Sequence, residues 1–242
     1  MDDLSSRLTA LQELIATAAQ KSGRDSEAIE LVAVSKTQPA DAVREALRAG
    51  LLHFGENKVQ EAKGKIESVG RGIWHLIGHL QKNKAKDAVQ LFDFIDSVDR
   101  QDLAEEIEHR AQLLGKTQKV LLQVNVARES TKFGCAPEVA RALAETINTL
   151  PHLALQGLMT IAPYSEEPEK SRPHFAALRE LRDRLESETG LHLPVLSMGM
   201  SGDFAVAIEE GATSVRIGTA LFGARLKLKE RRPEDPSFIE ST

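Results

Sequence analysis

The sequence predicts an α/β fold: a single (β/α)8 barrel of the TIM type with an extra helix at its N-terminus. Three observations carry this. From residue 31 onwards, short strand-like runs alternate strictly with amphipathic helical runs. Eight of the former, separated by helices, imply parallel strands joined by right-handed crossovers. The turn after the first strand, Ser35-Lys36-Thr37-Gln38-Pro39, contains no glycine, so it lacks the Gly-rich fingerprint that an open, doubly wound sheet would favour. A chain of 242 residues suits eight such units in one domain.

The elements follow in order. A first helix is expected over residues 4–20, where Leu4, Leu8, Leu11, Leu14, Ile15 and Ala18 recur at helical spacing and Gly23 closes the region. Strands are expected at 31–35, 52–54, 73–77, 92–98, 120–126, 153–161, 193–197 and 214–217. The helices between them are expected at 39–49, 58–69, 82–91, 102–114, 137–150, 169–189 and 202–210. Pro39 and Pro137 suit a first helical turn, where a missing N–H costs nothing. Gly50, Gly115, Gly190 and Gly211 suit helix ends that need a left-handed residue. Residues 1–226 read as one barrel domain, and residues 227–242, charged and carrying Pro233 and Pro236, as a loosely held tail.

Composition narrows the function classes. A net charge of −5 gives no footprint for a nucleic-acid or anionic-membrane partner. The single cysteine, Cys135, allows no intrachain disulfide and fits a reducing compartment. Residues 1–19 are amphipathic with an acidic start, unlike a signal peptide, and no apolar run is long enough for a membrane span. A cytoplasmic protein is the expectation. No residue is assigned to metal binding.

In such a barrel the active groups come from the C-terminal ends of the strands. Lys36 ends the first strand, Asn57 follows the second, His79 the third, and Asp99, Asn125 and Thr160 the next three. The seventh ends at Ser197-Met198-Gly199-Met200-Ser201-Gly202 and the eighth at Arg216-Ile217-Gly218-Thr219. The loops after strands seven and eight are frequent phosphate sites. Ser201 is expected to cap the following helix and leave N–H groups aimed at an anion. Gly218 and Thr219 offer close backbone approach and a hydroxyl. Each residue has a plainer alternative: an ordinary N-cap for Ser201 or Asn57, a turn for Gly218, a satisfied histidine for His79, and a structural ion pair with Asp203 or Glu209 for Arg216. The lysines at 82, 84 and 86 read as a solvated helix face.

A lysine, an arginine and a phosphate cup at one mouth describe a site for a phosphorylated aldehyde, pyridoxal 5′-phosphate. The segments AVSKTQP, HFGENKVQE, WHLIGHLQKNK, ESTKFG, GLMTIAP, LSMGMSGDF and TSVRIGTALFGAR resemble the pyridoxal phosphate homeostasis proteins, small relatives of the alanine racemase barrel and so of the fold-type III pyridoxal phosphate proteins. The resemblance spans most of the chain in the family's order. It implies that Lys36 is the Schiff-base lysine, that Arg216 lies near the pyridine nitrogen, and that Ser201, Gly218 and Thr219 hold the phosphate. It further implies that Asn57 and His79 line the site beside the ring and that Met200 packs nearby.

An arginine facing the pyridine nitrogen does not favour protonating it, so the ring is a weaker electron sink than one paired with a carboxylate. Racemisation also needs acid/base groups on both faces of the α-carbon. In alanine racemases the second is a tyrosine from an extra β-domain, and little sequence follows the Arg216 loop here. The only tyrosine, Tyr164, falls in the loop after strand six and is not expected to act as that second base. The expected function is to hold pyridoxal 5′-phosphate as a lysine Schiff base for vitamin B6 homeostasis, buffering or delivery. A non-catalytic monomer with cofactor-accepting apoenzymes as partners is implied, and no residue is assigned as catalytic. The alternatives are an amino-acid racemase of the alanine racemase type, a cofactor-free Schiff-base aldolase, and a regulatory module acting through a protein partner.

Overall fold

The computed structural model describes residues 3–223. It shows a closed barrel of eight parallel strands in sequence order. These are β1 (Glu30–Val34), β2 (His53–Glu56), β3 (Ile73–Leu76), β4 (Phe94–Val98), β5 (Gln118–Gln123), β6 (Leu153–Met159), β7 (Val195–Met200) and β8 (Ser214–Ile217). Nine helices are described: α1 (Leu4–Lys21), α2 (Ala40–Arg48), α3 (Val59–Val69), α4 (Ala85–Leu91), α5 (Gln101–Leu113), α6 (Ala140–Asn148), α7 (Arg172–Thr189), α8 (Phe204–Glu209) and α9 (Thr219–Phe222). The ring closes where β1 pairs with β8, from Glu30 opposite Ser214 to Ala33 opposite Ile217.

The apolar residues divide into two sets because alternate strand residues face opposite sides. One set, with Ala33, Phe54, Leu76, Ile95 and Leu122 from the strands and Phe175, Leu103 and Ile147 from the helices, forms the core between sheet and helices. A second set, Val32, Val34, Ile77, Leu121 and Met159, is buried without joining that core. On β1, Val32 and Val34 flank Ala33 and so point into the barrel. Helix α1 lies outside this ring against α8 and α9. Its Asp3 cap accepts from Ser6 N–H at 2.8 Å, and Arg7 Nε donates to Leu221 O at 2.6 Å.

Several boundaries differ from the sequence expectation, each for a local reason. Pro39 sits at the N-cap of α2 with an extended ψ of 158°, one step before the first turn. Pro137 opens a turn closed by Val139 N–H to Ala136 O at 3.1 Å, and α6 begins only at Ala140. The expected helix over 82–91 starts as a 3-10 turn at Lys82–Lys84. Lys82 and Lys86 are exposed, but Lys84 is half-buried. β7 extends to Met200, and β8 is followed by the short helix α9, which the alternation did not include. Gly50, Gly115, Gly190 and Gly211 all take positive φ at helix ends, as expected. The tail over 227–242 lies outside the described residues. Among the described residues, no helix is long and apolar enough to cross a membrane.

Gly199 fixes the end of β7 against α8. Its φ is +92°, and a Cβ there would lie 2.6 Å from the Ala207 Cβ and 3.0 Å from the Phe204 Cα. Gly199→Ala is expected to lower stability by about 1–3 kcal/mol through overpacking and backbone strain, measured as a shift of the urea unfolding midpoint.

Candidate functional site

A cavity of about 600 Å3 opens at the C-terminal end of the barrel, within the size range of small-molecule sites. Lys36, Asn57, His79, Met200, Ser201, Arg216, Gly218 and Thr219 all line it. The eight residues selected from the sequence therefore meet in one place.

Lys36 stands in the turn after β1, half-buried. That turn is held from below by a network that the sequence reading did not include. Ser35 Oγ donates to Glu56 Oε1 at 2.7 Å, and Lys65 Nζ, on α3, donates to Ser35 O at 2.7 Å and to Glu56 Oε1 at 2.5 Å. All three residues are buried. Burial pushes the Glu56 carboxyl above its ordinary range, opposed by Lys65 and Ser35. Thr37 adopts φ +64°, a left-handed conformation that a β-branched residue rarely takes, and the Glu61 carboxylate accepts its N–H. One signal for this network was present in the sequence: Lys65 falls on the buried face of α3 with Val59 and Ala62.

Arg216 projects from β8 and is 3% exposed. Nη1 donates to Ser197 Oγ at 2.6 Å and Nη2 to Thr160 O at 2.7 Å. Burial pulls its pKa down to about 10, which leaves the guanidinium charged at neutral pH. The alternative of an ion pair with Asp203 or Glu209 is not realised. Glu209 pairs with Arg172 at 2.6 Å, and Asp203 accepts from Met200 N–H at 2.7 Å and Ser171 Oγ at 3.0 Å.

Ser201 does not cap α8. Asp203 occupies the N-cap position, and the Ser201 hydroxyl turns towards β8, accepting from Gly218 N–H at 3.3 Å and Ala220 N–H at 3.4 Å. These long contacts put a hydroxyl and two backbone donors side by side. Asn57 is likewise not a cap, since Lys58 holds that position before α3. A Cβ on Gly78 would lie 2.2 Å from Asn57 O, so the glycine allows the ends of β2 and β3 to approach.

His79 stacks on Phe133 with ring centroids 3.8 Å apart and planes 11° apart. Its Nδ1 is buried without a hydrogen-bond partner, and Asp99 Oδ2 stays 3.8 Å away. Burial lowers its pKa, against the pull of Asp99. Phe133 reaches this stack because Gln123 Nε2 holds its carbonyl at 3.2 Å and Asn125 Nδ2 holds Glu129 O at 2.8 Å. Gln123 and Phe133 line the cavity but were not singled out in the sequence. Lys132 is occupied elsewhere, donating to Ala162 O at 3.0 Å.

Fold and mouth together define a class, a barrel of the "Alanine racemase, N-terminal domain" type, and the family model of that description matches residues 7–226. A pyridoxal phosphate homeostasis protein of Aquifex aeolicus (strain VF5) is 48% identical over 222 residues, covering 90% of this chain and 97% of the relative. The structure of PipY from Synechococcus elongatus PCC7942 with PLP bound superposes with a TM-score of 0.81 at 39% identity, covering 91% of this chain and all of that one. An alanine racemase of Clostridium difficile 630 shares the fold alone, with a TM-score of 0.73 at 18% identity over 93% of this chain and 57% of its own. The chain belongs to the pyridoxal phosphate homeostasis protein family.

Lys65→Met leaves the Glu56 carboxylate buried without its cation. It is expected to cost about 3–5 kcal/mol in urea unfolding, and a Glu56→Leu/Lys65→Met double variant is expected to recover most of the loss.

Proposed function

We propose that this protein holds pyridoxal 5′-phosphate at the mouth of its barrel and buffers and delivers it in the cytoplasm, rather than turning over a substrate. The observation that carries the reading is the meeting of Lys36 and the buried cation Arg216, from adjacent strands, in one cavity. The donor set fits the cofactor. An amine, a buried guanidinium and a cluster of hydroxyl and N–H donors are its natural partners. Two buried atoms in the cavity wall, His79 Nδ1 and Gln123 Oε1, have no hydrogen-bond partner within the protein and suit a polar ligand.

In this reading Lys36 supplies the amine for the aldehyde. Ser201, Gly218 and Thr219 hold the phosphate, with the Ser201 hydroxyl free to turn from its long contacts to a stronger acceptor. Arg216 takes the pyridine end, Asn57 and His79 flank the ring, and Met200 packs beside it. Bound there, the cofactor supplies a reactive aldehyde and an electron-withdrawing ring. Arg216, a cation fixed by Ser197 and Thr160, does not favour a proton on the pyridine nitrogen. Tyr164, although at the cavity rim, is 89% exposed, which is unlike a positioned acid/base group. The protein is read as a monomer whose partners are apoenzymes that take up the cofactor.

Borohydride treatment of the cofactor-loaded protein is expected to add one reduced cofactor to the peptide carrying Lys36 and to abolish the visible band. The Lys36→Ala variant should show neither, and imine absorption persisting in that variant would overturn the assignment. Ser201→Ala is expected to weaken cofactor affinity by roughly two- to tenfold, the worth of about 0.5–1.5 kcal/mol for one hydrogen bond, measured by fluorescence titration. Exchange of the α-proton of alanine and serine into deuterated water separates holding from racemisation. Robust exchange that disappears in Tyr164→Phe would favour the racemase alternative.

A further inference from the structure

We propose that Glu30, His53 and His75 form a divalent transition-metal site at the opposite end of the barrel from the cavity. Glu30 and His53 are the first residues of β1 and β2, and His75 lies within β3. Each side chain offers one ligand atom, and the three atoms lie within 4.8 Å of one another. His53 Nδ1 is 3.0 Å from Glu30 Oε2 and 3.1 Å from His75 Nε2, and His75 Nε2 is 4.0 Å from Glu30 Oε1. A tetrahedral ion with bonds of about 2.1 Å sets its ligands about 3.4 Å apart. The observed separations bracket that edge, so small side-chain movements close the site.

The surroundings fit a metal better than a hydrogen-bond cluster. His75 Nδ1 faces Asp96 Oδ2 at 3.2 Å, and Asp96 is itself buried. With that proton held by Asp96, His75 presents the lone pair of Nε2 to His53. One ring proton on His53 Nδ1 is then shared between two acceptors, Glu30 and His75. A dication in its place satisfies all three atoms together, and that proton moves to His53 Nε2. The carboxylate–histidine pair is also the usual support of a metal-bound imidazole, fixing its tautomer and ring plane. Two further contacts hold the set: Ser214 Oγ donates to Glu30 Oε1 at 3.2 Å, and Phe94 stacks on His75 at 4.4 Å with planes 8° apart.

Access and insulation are both built in. Glu30 and His53 keep 34% and 23% of their side chains exposed, which leaves a path for the ion and a position for water. Above them, on the β1–β3 side, Val32, Gly55 and Ile77 line the barrel. A Cβ on Gly55 would lie 3.1 Å from both the Val32 and Ile77 side chains, so these close the space between the two ends. Two imidazoles and one carboxylate suit Zn2+ and its neighbours in the first row rather than Ca2+ or Mg2+, which prefer all-oxygen shells.

Equilibrium dialysis of the metal-free, full-length protein against Zn2+, read by elemental analysis, tests this. The wild type is expected to retain one equivalent, and Lys36→Ala to retain the same, since the site does not depend on the cofactor. His53→Ala, at a half-exposed position, should lose at least tenfold in affinity, and Asp96→Asn roughly ten- to a hundredfold, as for other outer-shell partners. Thermal unfolding identifies variants that fail to fold, and Glu30→Gln replaces any that do. No retention by the wild type, or retention undiminished in folded His53→Ala and Glu30→Gln, would overturn the proposal.

Discussion

The hydrogen-bonded seam between β1 and β8 is the constraint on which the rest of the molecule depends. Lys36 and Arg216 stand near opposite ends of the described chain, yet Val32 lies directly opposite Arg216 in the ladder. The same seam sets Gly218 against the Val34 backbone at one end and Ser214 against Glu30 at the other. It is reinforced from outside. Arg7 holds the Leu221 carbonyl at the end of α9, and Arg24 donates to Ile208 O at 3.1 Å and Ala212 O at 2.7 Å, on either side of the turn that feeds β8. The N-terminal segment thus fastens the last strand, which explains why a barrel complete in eight strands carries an additional helix first.

Buried ionisable groups gather towards the two ends of the barrel, with Arg216 and His75 inside the ring and the Lys65–Glu56 pair between β2 and α3. Arg216 and the Lys65–Glu56 pair lie towards the cavity, and His75 with Asp96 towards the far end. Such groups lose hydration on burial, and replacing a buried ion pair with apolar residues is often neutral or stabilising. Stability alone therefore does not account for them. At the cavity end they fix the geometry of the Lys36 turn and keep a cation beneath the mouth.

The fold was legible because its pattern is periodic: buried strands, amphipathic helices and glycine stops repeat along the whole chain. The mouth was legible through the barrel rule that chemistry sits at strand ends, and the resemblance supplied the roles. What escaped were features created by closure in three dimensions. Whether Ser201 would cap its own helix or turn to the β8 loop depends on a neighbour that no local window contains. Phe133 stays largely exposed, and it finds His79 only because Gln123 and Asn125 fold its loop over the mouth. Glu30, His53 and His75 are unremarkable in sequence, each a lone polar residue near a strand start. Only the stagger of a closed barrel brings them within reach of one another. Boundaries drifted where proline had two permissible positions, as at Pro39 and Pro137.

The brevity of β8 has an evolutionary corollary. Four residues carry a contact to one end of the barrel through Ser214 and a buried cation to the other through Arg216, both by virtue of the two-residue alternation of a strand. A single inserted or deleted codon between positions 214 and 218 would exchange the inward and outward columns and disturb both ends together. Length variation in descendants of this chain should therefore be concentrated in the outer helices and their return loops, while β8 changes by substitution alone.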